Sequence, residues 1–209
     1  MLAQRLGLSI NSTRPLGKWS PDDETSLVAW YQNKKGITLN GADVSKWEDS
    51  APAGLYDMVQ ATATEQPTYD ASTGALTFVS ADDNNLQTTG QVSLSGAFTI
   101  GIRLYPTSFS NVVIADNTIA NEFIKITANN TIRIKVDGSV ADFTLNDGTF
   151  GDDYIVFTRD GDDLVTLWKN GVAQTDTETR SGTVDIDCIG VRSPDLNAYA
   201  GTIKEIQIY

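Results

Sequence analysis

With 209 residues, 40% of them hydrophobic and 20% charged, the chain is long enough and apolar enough to build one substantial core. Its 27 acidic and 15 basic side chains leave a formal net charge of −12 and a pI near 4.2, which excludes nucleic acid and anionic membrane surfaces as partners, since both are bound through Lys and Arg. There is no His and a single cysteine, Cys188, so His-based triads, His metal ligands, a histidine pH switch and an internal disulfide are excluded.

Residues 1–22 read as a basic N-terminal arm. Arg5, Arg14 and Lys18 stand in residues 1–21 with no acid, a local charge of +3, so the other 188 residues carry −15. Leu6, Leu8 and Ile10 alternate with Gly7 and Ser9 at a strand-like period of two. Arg14-Pro15 and Ser20-Pro21 then interrupt regular structure. Two readings stand: a loose solvating tail, or a docking segment that orders on a partner through Arg5, Leu6, Leu8, Ile10, Arg14, Lys18 and Trp19. Trp19 itself reads as an interface anchor or as a residue folded back onto the domain. The segment lacks a basic region followed by a long apolar run, so a cytosolic site of synthesis is expected. No stretch approaches the roughly 20 apolar residues of a membrane helix, so no insertion is expected.

The domain proper is expected over residues 23–209. The run Ser26–Tyr31 precedes a loop-rich stretch holding Trp47 and Tyr56, and Leu76–Val79 forms a short strand before the acidic turn Asp82-Asp83-Asn84. Beyond it the alternation is clean. Phe98, Ile100, Ile102 and Leu104 share one face while Thr99, Gly101, Arg103 and Tyr105 share the other; Ile132, Ile134 and Val136 oppose Thr131, Arg133 and Lys135. Asp137-Gly138, Asp147-Gly148, Asp160-Gly161 and Asn170-Gly171 read as hairpin turns, because such pairs tolerate positive φ. In the last strand, Thr202–Tyr209, Ile203 and Ile206 differ in parity, which predicts a bulge or burial on both faces. Short strands at this spacing predict an all-β, two-sheet antiparallel sandwich or barrel.

Ala97–Leu104, Tyr154–Gly161, Leu164–Gly171, Ile189-Gly190 and Gly201–Tyr209 resemble, in order and spacing, the central and closing strands of laminin G-like, concanavalin A-like jelly rolls. The resemblance covers about residues 26–209. Leu27–Tyr31, Asn40–Trp47 and Gln60–Pro67 are similar to the opening of such modules in structural proteins of tailed marine phages. What this implies is a virion component, a capsid decoration or fibre-type protein whose arm docks on other virion proteins, and a virion localisation. The alternative it implies is a lectin-like module that recognises surface glycans, calcium-assisted or not. Either can form a homo-oligomer.

The expected chemistry is binding rather than catalysis. Some glucanases of this fold class resemble one another in a Glu-x-Asp-x-x-Glu strand, and that motif is missing. Asp185-Ile186-Asp187, its nearest approach, reads as outward-facing strand acids. No cofactor is required. Calcium, which takes Asp, Asn and carbonyl oxygens, has two candidate loops: Asp82-Asp83-Asn84, and Asp116-Asn117 with Asn121-Glu122. The metal candidates taken forward are Asp116, Asn117 and Asn121, and the glycan candidates Trp47, Asp82 and Asp83. Trp30, Trp47 and Trp168 each read as core residues or as parts of a sugar-stacking platform.

Overall fold

The computed structural model describes residues 19–119, 121–192 and 197–209. Six of the seven arm residues singled out above, Arg5, Leu6, Leu8, Ile10, Arg14 and Lys18, lie outside the described residues.

Seventeen strands are found among the described residues. The first seven are β1 (Ala29–Tyr31), β2 (Ile37–Asn40), β3 (Asp43–Trp47), β4 (Met58–Val59), β5 (Thr68–Asp70), β6 (Ala75–Phe78) and β7 (Leu86–Ser95). Then come β8 (Phe98–Pro106), β9 (Asn111–Ala115), β10 (Phe123–Ala128), β11 (Thr131–Val136) and β12 (Ser139–Thr144). The last five are β13 (Asp153–Arg159), β14 (Leu164–Lys169), β15 (Val172–Thr179), β16 (Thr183–Ile189) and β17 (Gly201–Ile208).

All pairings are antiparallel, and they form the two layers of a jelly-roll sandwich. One layer runs β15–β14–β13–β8–β17, and the far side of β17 is taken by β6 at residues 201–203 and by β1 at residues 206–208. The other runs β12–β11–β10–β9–β16–β7–β4–β3–β2. The strand β5 joins the layers at one side, pairing with β6 and touching β3 at Asp43 and Thr68.

At the other side, β12 and β15 are clasped by side chains. Asp176 Oδ2 accepts the Thr144 amide at 2.7 Å, Gln174 Oε1 accepts the Asn146 amide at 2.7 Å, and Arg180 Nε donates to the Val140 carbonyl at 2.8 Å.

The alternation read from sequence is the alternation found. In β8 the residues Phe98, Ile100, Ile102 and Leu104 are buried, and in β11 so are Ile132, Ile134 and Val136. They meet Ile155, Phe157, Val165 and Leu167 from β13 and β14 in one continuous core. Phe143 of β12 packs edge-on to Phe157 of β13 with centroids 5.5 Å apart and planes at 75°, a contact that ties the two layers together.

Two expected turns form as read. Asn170-Gly171 has φ of 51° and 81°, and Asp137-Gly138 has 44° and 79°, the paired positive angles of a tight hairpin. The other two differ. At Asp160-Gly161 the left-handed residue is Asp163, at φ 62°, because Asp160 Oδ1 accepts the amides of Asp162 and Leu164 at 2.9 Å and widens the turn to four residues. Asp147-Gly148 closes no hairpin; it lies on the crossing from β12 to β13, which belong to different layers.

The parity conflict in β17 resolves as a bulge. The register against β8 shifts between Ile203 and Glu205, so Ile203, Ile206 and Ile208 all reach the core while Glu205 and Gln207 point outward.

Truncating Phe157 removes one half of the aromatic contact between layers. Phe157→Ala is expected to cost about 3–5 kcal/mol in a denaturant titration, the range for large core aromatics. A loss below about 1 kcal/mol would show that this contact does not tie the layers.

Candidate functional site

The outer face of β17, β8 and β13 floors a groove of about 720 Å³. Its wall is the segment that leads into β1. Pro21–Asp23 forms a single 3-10 turn in which Asp23 Oδ2 accepts the Ser20 amide at 3.1 Å. That turn folds the chain back so that Trp19 and Glu24 face the sheet, with the Trp19 indole donating to Glu24 Oε1 at 3.0 Å. Trp19 is 52% exposed even so, which leaves its ring available. A second depression of about 380 Å³ shares Ser26, Thr99, Thr158 and Tyr209 with the first and extends it toward Leu164 and Thr166.

The polar groups of the floor are largely pre-organised. Trp30 Nε1 and Gln207 Nε2 both donate to Glu205 Oε1 at 2.9 Å, and the Tyr209 hydroxyl donates to Gln207 Oε1 at 3.1 Å. Asp152 is held by Arg103 at 3.3 and 3.2 Å and by Lys204 at 2.6 Å. Burial acts to raise the Asp152 pKa, but the hydrogen bonds from Lys204 and Arg103 outweigh it and hold the carboxyl below its usual range.

Two tyrosines complete the aromatic lining. Tyr154 lies across Gly101 of the neighbouring strand; a Cβ at residue 101 would collide with the phenol, so glycine is what lets the ring lie flat on the sheet. Burial, followed by Glu205 and Tyr209, raises the Tyr154 pKa. Burial, Glu24 and Glu205 push Tyr209 up to about 12. Both phenols therefore stay protonated at neutral pH and can serve as hydroxyl donors.

The sequence candidates are distributed differently from what was expected. Trp47 is not at the groove: it is 0% exposed, its Nε1 donates to the Gln32 carbonyl at 3.2 Å, and its ring sits 5.7 Å from Tyr31 in the core. Asp82 and Asp83 close the 3-10 turn Ser80–Asp82 away from the groove, where Asp83 takes a left-handed φ of 51°. That turn is a structural one, since Asn84 Oδ1 accepts the Val79 amide at 2.8 Å. Trp30 is core, and Trp168 is half-buried with its Nε1 on Thr158 Oγ1 at 3.1 Å. Trp19 is the one aromatic candidate that the fold brings to the groove, by the folded-back route. Tyr154, Tyr209, Arg103, Glu205 and Gln207 were not singled out. Their outward parity was legible; their convergence was not.

The metal candidates sit elsewhere, beside the β9–β10 connection. Asp116 is buried and its Oδ1 accepts the Thr118 amide and hydroxyl at 2.6 Å. The Asn117 amide donates to Asp187 Oδ1 at 2.6 Å, and the Asn121 carbonyl accepts the Gly138 amide at 3.1 Å. Beside them Glu122 has a pKa pushed up to about 7 by burial and by Asp116, Asp185 and Asp137, with Lys135 opposing. Among the described residues no three His, Cys, Asp or Glu side chains are set together to hold a metal, so Asp116, Asn117 and Asn121 are not part of a preformed carboxylate cage.

No family model matches the chain, and no curated protein matches it in sequence. Solved structures do. The likeness is one of fold. The binding domain of Paraclostridial Mosquitocidal Protein 1 superposes with a TM-score of 0.56 at 14% identity over 91% of this chain and 49% of that one. A botulinum neurotoxin type C structure, whose cell entry is described as dependent on two ganglioside molecules, gives 0.55 at 14% identity over 90% of this chain and 48% of its own. Trypanosoma rangeli sialidase gives 0.52 at 12% over 89% of this chain and 30% of its own. The chain thus spans half or less of these proteins, and at such identity they establish the β-sandwich alone.

Replacing Gly101 tests the flat seat of Tyr154. Gly101→Val is expected to destabilise the domain by about 1–3 kcal/mol through overpacking. Adding Tyr154→Ala should recover most of that loss, a non-additive pair in a double-mutant cycle. Simple additivity would mean that the ring does not depend on the missing Cβ.

Proposed function

We propose that the domain binds carbohydrate along the groove, taking an extended neutral oligosaccharide without cleaving it. One observation carries the reading. Trp19, Tyr154 and Tyr209 border a trough whose floor presents fixed hydrogen-bonding groups on Glu205, Gln207 and Asn170. Aromatic surface suits the C–H faces of sugar rings, and a few positioned polar groups suit their hydroxyls. The second depression continues the trough, which favours a chain of sugars over a single residue.

Charge argues for a neutral ligand. Arg103 and Lys204 are both engaged by Asp152, and Glu24 and Glu205, which accept from neutral indole and amide donors, add negative charge to the lining. An anionic sugar would meet repulsion here.

The same geometry favours binding over hydrolysis. A glycosidase needs a carboxylic acid with a raised pKa beside the scissile bond. Asp152 is shifted the opposite way, and Glu205 is committed to Trp30 and Gln207.

The test is a glycan array followed by calorimetry. A neutral oligosaccharide is expected to bind and to change Trp19 fluorescence. Tyr154→Ala and Trp19→Ala should each weaken binding about tenfold, roughly 1.4 kcal/mol. Silence on the array, or affinity unmoved by both substitutions, would overturn the assignment.

A second reading concerns setting. We infer from the charge of +3 on residues 1–21 against −15 on the rest, and from the phage-like opening of the domain, that the chain serves as a virion decoration or fibre component docked by its arm. The two readings are compatible, because a displayed domain can carry a glycan site. Deleting residues 1–18 keeps the Trp19 wall and should abolish incorporation into particles while leaving glycan affinity intact. Normal incorporation of the truncated chain would remove the docking role.

A further inference from the structure

The acids of the groove do not all keep the same company. Asp152 stands between two basic side chains, whereas Glu24 and Glu205 stand among aromatic rings. The Trp19 indole donates to Glu24 Oε1 at 3.0 Å. Behind burial, Glu24 and Glu205 both act on Tyr209 and push its pKa up to about 12. Glu205 acts on Tyr154 as well, and so does Tyr209. Two carboxylates, one indole and two phenols therefore share one corner of the trough, assembled from the wall before β1, from β13 and from the end of the chain beyond β17.

The basic groups nearby are spent elsewhere. Among the described residues Arg103 is the one cation that lines this trough, and Asp152 holds it at 3.2 Å and Lys204 at 2.6 Å. Lys35 lies over the Trp30 ring at 5.9 Å, outside the lining. In the second depression the Arg159 side chain is buried and donates to the carbonyls of Gly96, Arg180 and Gly182. No basic group is among the charges that shift either phenol. The donors that Glu24 and Glu205 do accept from are neutral indole and amide groups, so both charges are kept at the groove.

We propose that the corner formed by Trp19, Glu24, Tyr154, Glu205 and Tyr209 is a subsite for a protonated amino group, so that the trough selects an oligosaccharide with a free amine over the same chain with a hydroxyl or an acetamide in its place. Aromatic faces carry negative potential and attract a cation, most strongly where water is partly excluded. Two carboxylates beside the rings add Coulombic attraction, which a neutral hydroxyl does not gain. The Trp19 N–H is already turned to Glu24, which leaves the faces of its half-exposed ring for a ligand. The subsite presupposes that the groove binds carbohydrate, and it narrows that reading: the run of the trough takes neutral sugar, and one position prefers a positive one.

The experiment uses the full chain and soluble β-1,4-linked tetramers of glucose, N-acetylglucosamine and glucosamine, which differ in a hydroxyl, an acetamide or an amine at one carbon of each ring. At about pH 6, where an amine with the pKa of an α-amino group is protonated, calorimetry is expected to give the glucosamine tetramer about tenfold higher affinity than the other two. At about pH 9 the amine is neutral and most of that advantage should be gone. The chain has no His, and Tyr154, Tyr209 and Asp152 are all shifted away from this interval, so the loss reports on the ligand. Glu122, pushed up to about 7, belongs to the other layer, and the glucose tetramer corrects for it. Glu24→Gln and Glu205→Gln should each cut the glucosamine-to-glucose affinity ratio about threefold or more. Asp162→Asn removes the same charge at a hairpin tip and should leave the ratio unchanged. No binding of the glucosamine tetramer, equal affinities at the lower pH, an advantage that persists at the higher one, a ratio retained in both Gln variants, or a ratio lost equally in Asp162→Asn would each overturn the subsite. With any of these, a neutral glycan that still binds through Trp19 and Tyr154 keeps the carbohydrate reading; silence on the whole array removes both.

Discussion

The extra residue in β17 sets the orientation of everything around it. This strand sits between β8 on one side and β6 and β1 on the other, so it is the seam of its layer. A strict period of two from Ile203 would turn Ile206 and Ile208 to solvent and Glu205, Gln207 and Tyr209 into the core. The bulge at Lys204 inverts that assignment in mid-strand. Core packing and groove chemistry both depend on this single local irregularity, because the isoleucines it turns inward and the polar groups it turns outward alternate along the same few residues.

The two acidic neighbourhoods show how one composition produces opposite electrostatic outcomes. Around the groove the acids are answered: Asp152 by a guanidinium and an ammonium, Glu205 by indole and amide donors, Glu24 by a second indole. Beside the β9–β10 connection Asp116 and Asp187 are answered by backbone amides, while burial, followed by Asp116, Asp185 and Asp137, pushes Glu122 up to about 7. A satisfied carboxylate is rigid and already oriented.

Much of the architecture was legible because it follows from period and turn chemistry. The alternation in β8 and β11, the hairpins at Asp137-Gly138 and Asn170-Gly171, and the irregularity in β17 can all be read from neighbouring residues alone. The groove was not, because it is assembled from Trp19, Arg103, Tyr154 and Tyr209, and nothing local relates four residues so far apart. Trp47 was open to two readings, core or sugar platform, and it is core: its indole donates to the Gln32 carbonyl and its ring packs on Tyr31. Asp185 is an outward strand acid by parity, yet elements that only the sheet order brings near it bury its Oδ1.

The clasp between β12 and β15 has a consequence for crowding. A sandwich ordinarily exposes rows of free amides and carbonyls where its layers end, and those rows recruit further strands. Here Asp176, Gln174 and Arg180 occupy such groups on and beside β12. The opposite border is only four residues long at β2 and breaks register between Thr38 and Leu39. Neither border offers a flat template to a neighbouring molecule. Crowded copies of this chain can therefore stand close together without their sheets joining, each keeping its own boundary.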